Sequence, residues 1–232
     1  MTSLPLAQQL KKTVTLTSLL LLAGCSTGPE EASGSIEVGR ALRDAIAARR
    51  APDPAPLQIT RAFLDQHRPH LEILVERQEV TGYMGQGLIR QDDLPGEIIT
   101  WSAEDGSALS FRNGLLIATR GLPGNLISAE VQAQEGLAGP AQGGQRSYHL
   151  RSGDNQERTV TLACDLSDLG AQQLEIYEKY YNTRHLQERC EGPGQTVVIN
   201  DYWVDSRSQK VWKSRQWAGP ETGYLRIRDL SS

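Results

Sequence analysis

The chain reads as mainly β: antiparallel sheets, in a meander, barrel-like or sandwich arrangement, with one or two short N-terminal helices. Three observations predict this. From about residue 70 onward, apolar and polar residues alternate with period two in short runs. Asp105-Gly106 and Asn113-Gly114, the strongest short hairpin signals, stand between such runs. Twenty-two glycines and eleven prolines punctuate the 232 residues, and no long helical period follows residue 70.

The first element is an address label. Lys11 and Lys12 form a positive n-region, and Val14 to Leu22 is a short apolar stretch broken only by threonines and a serine. The run is too short for the roughly 20 apolar residues of a transmembrane helix. Leu22-Ala23-Gly24-Cys25 is a bacterial lipobox. Residues 1–24 are therefore expected to be a cleaved lipoprotein signal peptide. The Cys25 thiol takes a diacylglyceryl group and its freed amine a fatty acid such as palmitate. One chain binds a bilayer only marginally, at about 0.8 kcal/mol per buried methylene, whereas three hold firmly. Asp after the cysteine would signal retention at the inner membrane; Ser26 stands there, so the expected place is the outer membrane, facing the periplasm.

Residues 25–35 are polar and predict a flexible tether. Ile36 to Arg50 has helical spacing (Ile36, Gly39, Leu42, Ala45, Ile46) with Arg49-Arg50 at its C-terminal end. Ala51 to Pro56 stops it as a stiff linker, and Leu57 to Gln66 predicts a second short helix. Residues 36–232 then form a single β-rich domain. Leu71, Ile73 and Val75 alternate, and Gly82 to Gly87 suggests a bent strand or bulge. Ile98–Ser102, Leu109–Arg112 and Leu115–Thr119 are strands, and Ile127, Ala129, Val131 and Ala133 mark a half-buried one. Gly136 to Gln145 is either a seam between two β lobes or a long surface loop. Beyond it the strands expected are Tyr148–Arg151, Arg158–Cys164, Gln172–Glu178, Asn182–Cys190, Thr196–Asp205, Gln209–Ala218 and Gly223–Arg228. The charged Asn182–Cys190 run reads as an edge strand protected by charge or as a partner-binding surface, the edge being the favoured reading.

Lipidation takes one of three cysteines and leaves an even pair. In an oxidising periplasm Cys164 and Cys190 are expected to form a disulfide, contributing about 3.5 kcal/mol in the chain-entropy model. Losing Lys11 and Lys12 takes the formal charge from −4 to about −6, which argues against nucleic acid as a partner.

Several stretches then occur in a recognisable order. They are Ile99 to Leu109, Phe111 to Leu116, Ala118 to Leu122, Asn125 to Ala129, Tyr202-Trp203 and Trp212 to Trp217. With the lipobox and the cysteine pair, the chain resembles the YjbF/GfcB lipoproteins, the group 4 capsule polysaccharide family. The resemblance is strongest over residues 98–130 and 196–228. It implies a β-rich outer-membrane lipoprotein of a capsule or exopolysaccharide locus, with no established catalytic residues. Such loci typically also encode an outer-membrane barrel-type protein and a periplasmic partner.

The expected role is a non-enzymatic accessory in polymer assembly or export, without a cofactor. The alternatives are a polysaccharide hydrolase or lyase and a purely structural envelope lipoprotein. Trp203, Trp212 and Trp217 could offer a platform to sugar C–H faces, with Arg215 as a hydrogen-bonding flank; equally, the rings could be cross-strand packing units. Strict alternation places Lys213, Arg215 and Trp217 on one face and Trp212, Ser214 and Gln216 on the other. His67 and His70 lack further metal ligands, so no metal site is expected. Asp165 and Asp168 could pair as glycosidase carboxylates, although turn-capping is the commoner use of Asp.

Overall fold

Thr60 opens the first described element. Its hydroxyl accepts the Phe63 N–H (3.2 Å) and starts α1, Arg61–Gln66, shorter than the helix expected over 57–66. The computed structural model describes residues 59–66 and 70–231. Cys25, the signal peptide, the tether, the Ile36–Arg50 helix, the proline linker and His67 lie outside the described residues.

Twelve strands follow: β1 His70–Val75, β2 Val80–Arg90, β3 Ile98–Ser102, β4 Ala108–Arg112, β5 Leu115–Arg120, β6 Asn125–Glu130, β7 Gly144–Arg151, β8 Glu157–Ile176, β9 Lys179–Glu191, β10 Val197–Asp205, β11 Lys210–Trp217 and β12 Tyr224–Asp229. All belong to one antiparallel sheet in the order β5-β4-β3-β2-β1-β12-β11-β10-β9-β8-β7-β6. Every neighbouring pair except β1–β12 is consecutive in the chain. Because β5 and β6, the two ends of this order, are themselves consecutive, the sheet curls into a nearly closed barrel. The Thr119 hydroxyl accepts the Leu126 N–H (2.9 Å) across the join.

Alternation fills the barrel. Leu71 and Ile73 of β1, Trp101 of β3, Leu109 and Phe111 of β4, and Leu225 and Ile227 of β12 point into one core. The Asn113-Gly114 turn has both residues at positive φ (47° and 83°), as the tightest hairpin turn requires. A Cβ on Gly114 would stand 2.4 Å from Val211, so glycine is also demanded by space.

The interior also holds charge. Arg146 of β7 and Glu188 of β9, both 2 % exposed, pair at 2.6 Å. Arg146 Nη1 also donates to the Tyr202 hydroxyl (3.1 Å), and Asn200 Nδ2 donates to Glu188 (2.9 Å). From β11, Gln216 reaches across the barrel: Oε1 accepts the Leu116 N–H and Nε2 donates to the Gly114 carbonyl, each at 2.8 Å. Gln216 thus ties the β4–β5 turn and the start of β5 to the opposite wall.

A second layer lies outside. β8 bulges between Asp168 and Ala171, so the β8–β9 hairpin folds back across the barrel wall. Its tip turns on Tyr177 and Glu178, both at positive φ, and the Tyr177 hydroxyl donates to Glu72 of β1 (3.0 Å). Leu174 and Ile176, with Leu64 of α1, cover Trp203, Trp212 and Leu230 there.

Four expectations change. The two strands anticipated at Arg158–Cys164 and Gln172–Glu178 are one strand, β8, because its break is a bulge. The charged β9 is no edge: it pairs with β8 on one side and β10 on the other. Ile127 is exposed, because a bulge between Leu126 and Ser128 turns Leu126 inward instead. Strict alternation fails on β11, where Trp203 pairs with Lys213 but Val204 with Val211. The extra residue, Trp212, faces outward beside Lys213, while Ser214 and Gln216 stay inside. The loop over residues 131–143 joins two neighbouring strands of the same sheet.

Candidate functional site

Three places merit attention: the cysteine pair, the outer aromatic face and the mouth of the barrel. Cys164 and Cys190 stand opposite each other on β8 and β9 and form the expected disulfide. Glu188 lies close to both sulfurs, but bonded cysteines offer no thiolate to a metal.

Of the four residues expected to meet glycan, Trp203, Trp212 and Arg215 sit on the outer face of β10 and β11, whereas Trp217 packs against the barrel core. Trp203 is 9 % exposed: His185 stacks on it (4.4 Å between rings), Lys213 Nζ lies 4.2 Å from its centroid, and its indole N–H donates to Gln172 (2.7 Å). Trp212, 5 % exposed, stacks on Tyr181 at 3.9 Å. The folded-back hairpin and α1 therefore cover both rings. Trp217 is half-buried, edge-on to Tyr148 at 5.0 Å, and its backbone N–H donates to Asn200 (2.8 Å). Arg215 lies nearer solvent, flat over Tyr224 (3.5 Å) and in a two-pronged bond to Glu76 (2.9 and 2.8 Å). Those bonds to Arg215 hold the Glu76 carboxyl below its ordinary range.

Around Arg215 the register assembles more cations than sequence reasoning singled out. Lys213 stands opposite Arg228, and Arg215 opposite Arg226. Arg226 also bonds Glu76 (2.6 Å) and Arg228 bonds Glu72 (2.7 Å). The hidden signal was the pairing of the two strands: within either one, the cations merely alternate with core residues.

At one end of the barrel the 131–143 loop lies over the interior. Asn113 Nδ2 donates to the carbonyls of Gln134 (2.8 Å) and Leu137 (2.9 Å), and the Ala138 N–H donates to Gln209 (3.0 Å). Ala138 separates two cavities. One, about 160 Å³, has apolar walls from Leu71, Ile99, Trp101 and Phe111 and a polar rim that includes Glu97, Lys210 and Asp229. The other, about 350 Å³, lies between the loop and Leu166, Leu186 and Val204. Asp229 is engaged by Lys210 and by the Ser231 hydroxyl and N–H.

Asp168 does not converge on a cleft with Asp165. It accepts from Arg184 Nε (2.7 Å) and the Gly170 N–H (2.9 Å), and the Arg184 bond holds its carboxyl low. Asp165 stands opposite Arg189 on the sheet. His70 packs near Phe63, 6.4 Å between rings.

The fold has a solved relative. A hypothetical lipoprotein, YmcC from Escherichia coli K12, superposes with a TM-score of 0.64 at 20 % identity, covering 83 % of this chain and 94 % of its own. No curated protein matches the sequence. The family model described as group 4 capsule polysaccharide lipoprotein gfcB, YjbF, matches residues 39–230, which takes in the barrel, the folded-back hairpin and the cation-bearing face. The chain thus belongs to the YjbF family of group 4 capsule polysaccharide lipoproteins.

Proposed function

We propose that the protein is a non-enzymatic accessory in the assembly or export of a capsular or extracellular polysaccharide. It is held through Cys25 at the periplasmic side of the outer membrane and works by contacting the glycan, a barrel-type export partner, or both. Membership of a capsule polysaccharide lipoprotein family supports the polysaccharide setting and the lipid anchor. The lipobox with Ser26 supports the outer membrane.

The observation that carries the accessory role is the filled barrel. Core side chains and the Arg146–Glu188 network occupy its interior, and the 131–143 loop lies over one end. A strand such as β8 turns Thr159, Thr161, Ala163 and Asp165 outward, a row too polar for the apolar band of a lipid-facing barrel. Such a domain stands in water beside the membrane and acts through its surface, while another protein supplies the path for the polymer. The paired Asp168 and Glu76, each held low by an arginine, suit binding better than proton transfer, which needs a carboxyl poised nearer neutrality.

Deleting the gene should reduce polymer at the cell surface, and supplying the chain again should restore it. Incubating the purified protein with that polymer should leave its length unchanged. Unaltered export on deletion would refute the accessory role, and shortened polymer would establish the enzyme instead.

A further inference from the structure

β11 and β12 lay four cations on the outer wall as a two-by-two block, Lys213 opposite Arg228 and Arg215 opposite Arg226. Like charges directly opposite destabilise a sheet, and this chain carries a net charge of −4. The acids that offset the block lie low. Glu72, Glu76 and Asp201 have side chains 11 %, 20 % and 14 % exposed, whereas Arg226 is 57 % exposed. Carboxylates thus hold the guanidinium groups from beneath, and solvent meets mainly N–H donors.

We propose that this block is a binding site for an anionic polysaccharide, one whose sugars carry carboxylates. The site rests on the accessory reading above and adds to it the charge of the polymer and the surface that takes it.

Three features fit that ligand. The arginines are already set: Arg215 lies flat on Tyr224 (3.5 Å) and is clamped by Glu76, and Arg228 lies 5.5 Å from the Tyr177 ring centroid. A guanidinium whose Nε–Nη2 edge is held this way offers its remaining N–H donors to an incoming carboxylate with little ordering left to do. Neighbouring strands stand about 4.8 Å apart and alternate residues about 6.8 Å, so one carboxylate can meet two cations at once. Lys213 forms no ion pair among the described residues; burial and then Arg226 and Arg228 push its pKa down. Asp201 acts on it only at a distance, and an arriving carboxylate supplies the direct ion pair that Lys213 does not make.

The surface is open, so each contact is weak. A repeating polymer compensates by rebinding along its length, and a tethered protein by staying at the membrane. Duplex nucleic acid and anionic lipid would use the same charges, but the block is compact and lacks the long basic stripe that follows a duplex or lies along a bilayer surface.

The test uses the full-length lipidated protein in neutral detergent, with polygalacturonate as probe and dextran as its neutral counterpart. Wild type should bind polygalacturonate and not dextran, and lose affinity as salt rises. The double variant Lys213→Gln, Arg226→Gln should bind about tenfold more weakly or worse. It leaves Glu76 paired with Arg215, so it should melt close to wild type. Arg158→Gln, exposed near the start of β8 and away from the block, should change nothing.

The site is refuted by absent binding, by equal binding of dextran, by a double variant that binds like wild type, or by preference for phosphatidylglycerol vesicles or duplex DNA. Such a failure alongside an intact deletion phenotype removes the site and leaves the accessory role standing. Intact binding without any deletion phenotype does the reverse.

Discussion

Replacing Glu188 with Gln keeps the shape of the barrel core and removes one charge. Arg146 would then be a guanidinium at 2 % exposure with its 2.6 Å partner neutralised. Breaking a buried pair by removing one partner costs roughly 3–5 kcal/mol, because the remaining charge stays desolvated. Its other contacts, the Tyr202 hydroxyl at 3.1 Å and the Leu116 carbonyl at 3.4 Å, are neutral and cannot replace the carboxylate. For a domain of this size each kcal/mol moves Tm by roughly 2–4 °C, so the melting point should fall by roughly 6–20 °C. Urea unfolding of Glu188→Gln against wild type measures the free energy directly. The double variant Arg146→Met, Glu188→Leu should be more stable than Glu188→Gln, because no charge remains to desolvate. A Glu188→Gln loss below about 1 kcal/mol, or a double variant weaker still, would refute the view of a dry charged core.

Further outcomes follow from other contacts. Converting Cys164 and Cys190 to Ala should cost about 3.5 kcal/mol for a separation of 26 residues, read by thermal unfolding under oxidising conditions. Gly114→Ala should cost roughly 1–3 kcal/mol, since the new methyl group meets Val211 at positive φ. Trp217→Ala should lower stability by roughly 2–4 kcal/mol, because the ring packs on Tyr148; any loss of polymer export in that variant must be compared with its melting point. Stability should also fall in acid. Bonds to Arg112 depress Asp92 from 3.8 to about 2, and bonds to Arg215 depress Glu76. A carboxyl depressed in the folded state contributes above its unfolded pKa and loses that contribution as pH falls through the folded value. Tm should therefore decline from about pH 4.5 toward pH 2, and a flat profile there would contradict these pairings.

Most strands were legible because alternation and turn chemistry agree. Ile98–Ser102 was located to the residue, and Asn113-Gly114 named the turn it makes. Misplaced features share a physical cause, a bulge that leaves no distinctive residue type behind. Trp212 changes face because β11 carries one residue more than β10 can match, and Ile127 is turned outward in the same manner. The β8–β9 turn falls at Tyr177-Glu178, ahead of the gap expected at 179–181, because these two adopt positive φ without Gly or Asn, the tip being held by the bond from Tyr177 to Glu72. Arg146 and Glu188 look like surface residues one strand at a time; only the curl of the sheet brings them together in the core. The cation block was hidden likewise, since Arg226 and Arg228 face Lys213 and Arg215 only once β11 and β12 pair.

A lipid-held accessory is tested most directly by polymer at the cell surface in a deletion strain carrying either the wild-type chain or Cys25→Ala, with both proteins at equal level in the periplasm. Wild type should restore export and Cys25→Ala should not, because loss of the anchor removes the local concentration on which weak contacts depend. Full restoration by the unanchored chain would contradict the tethered mechanism.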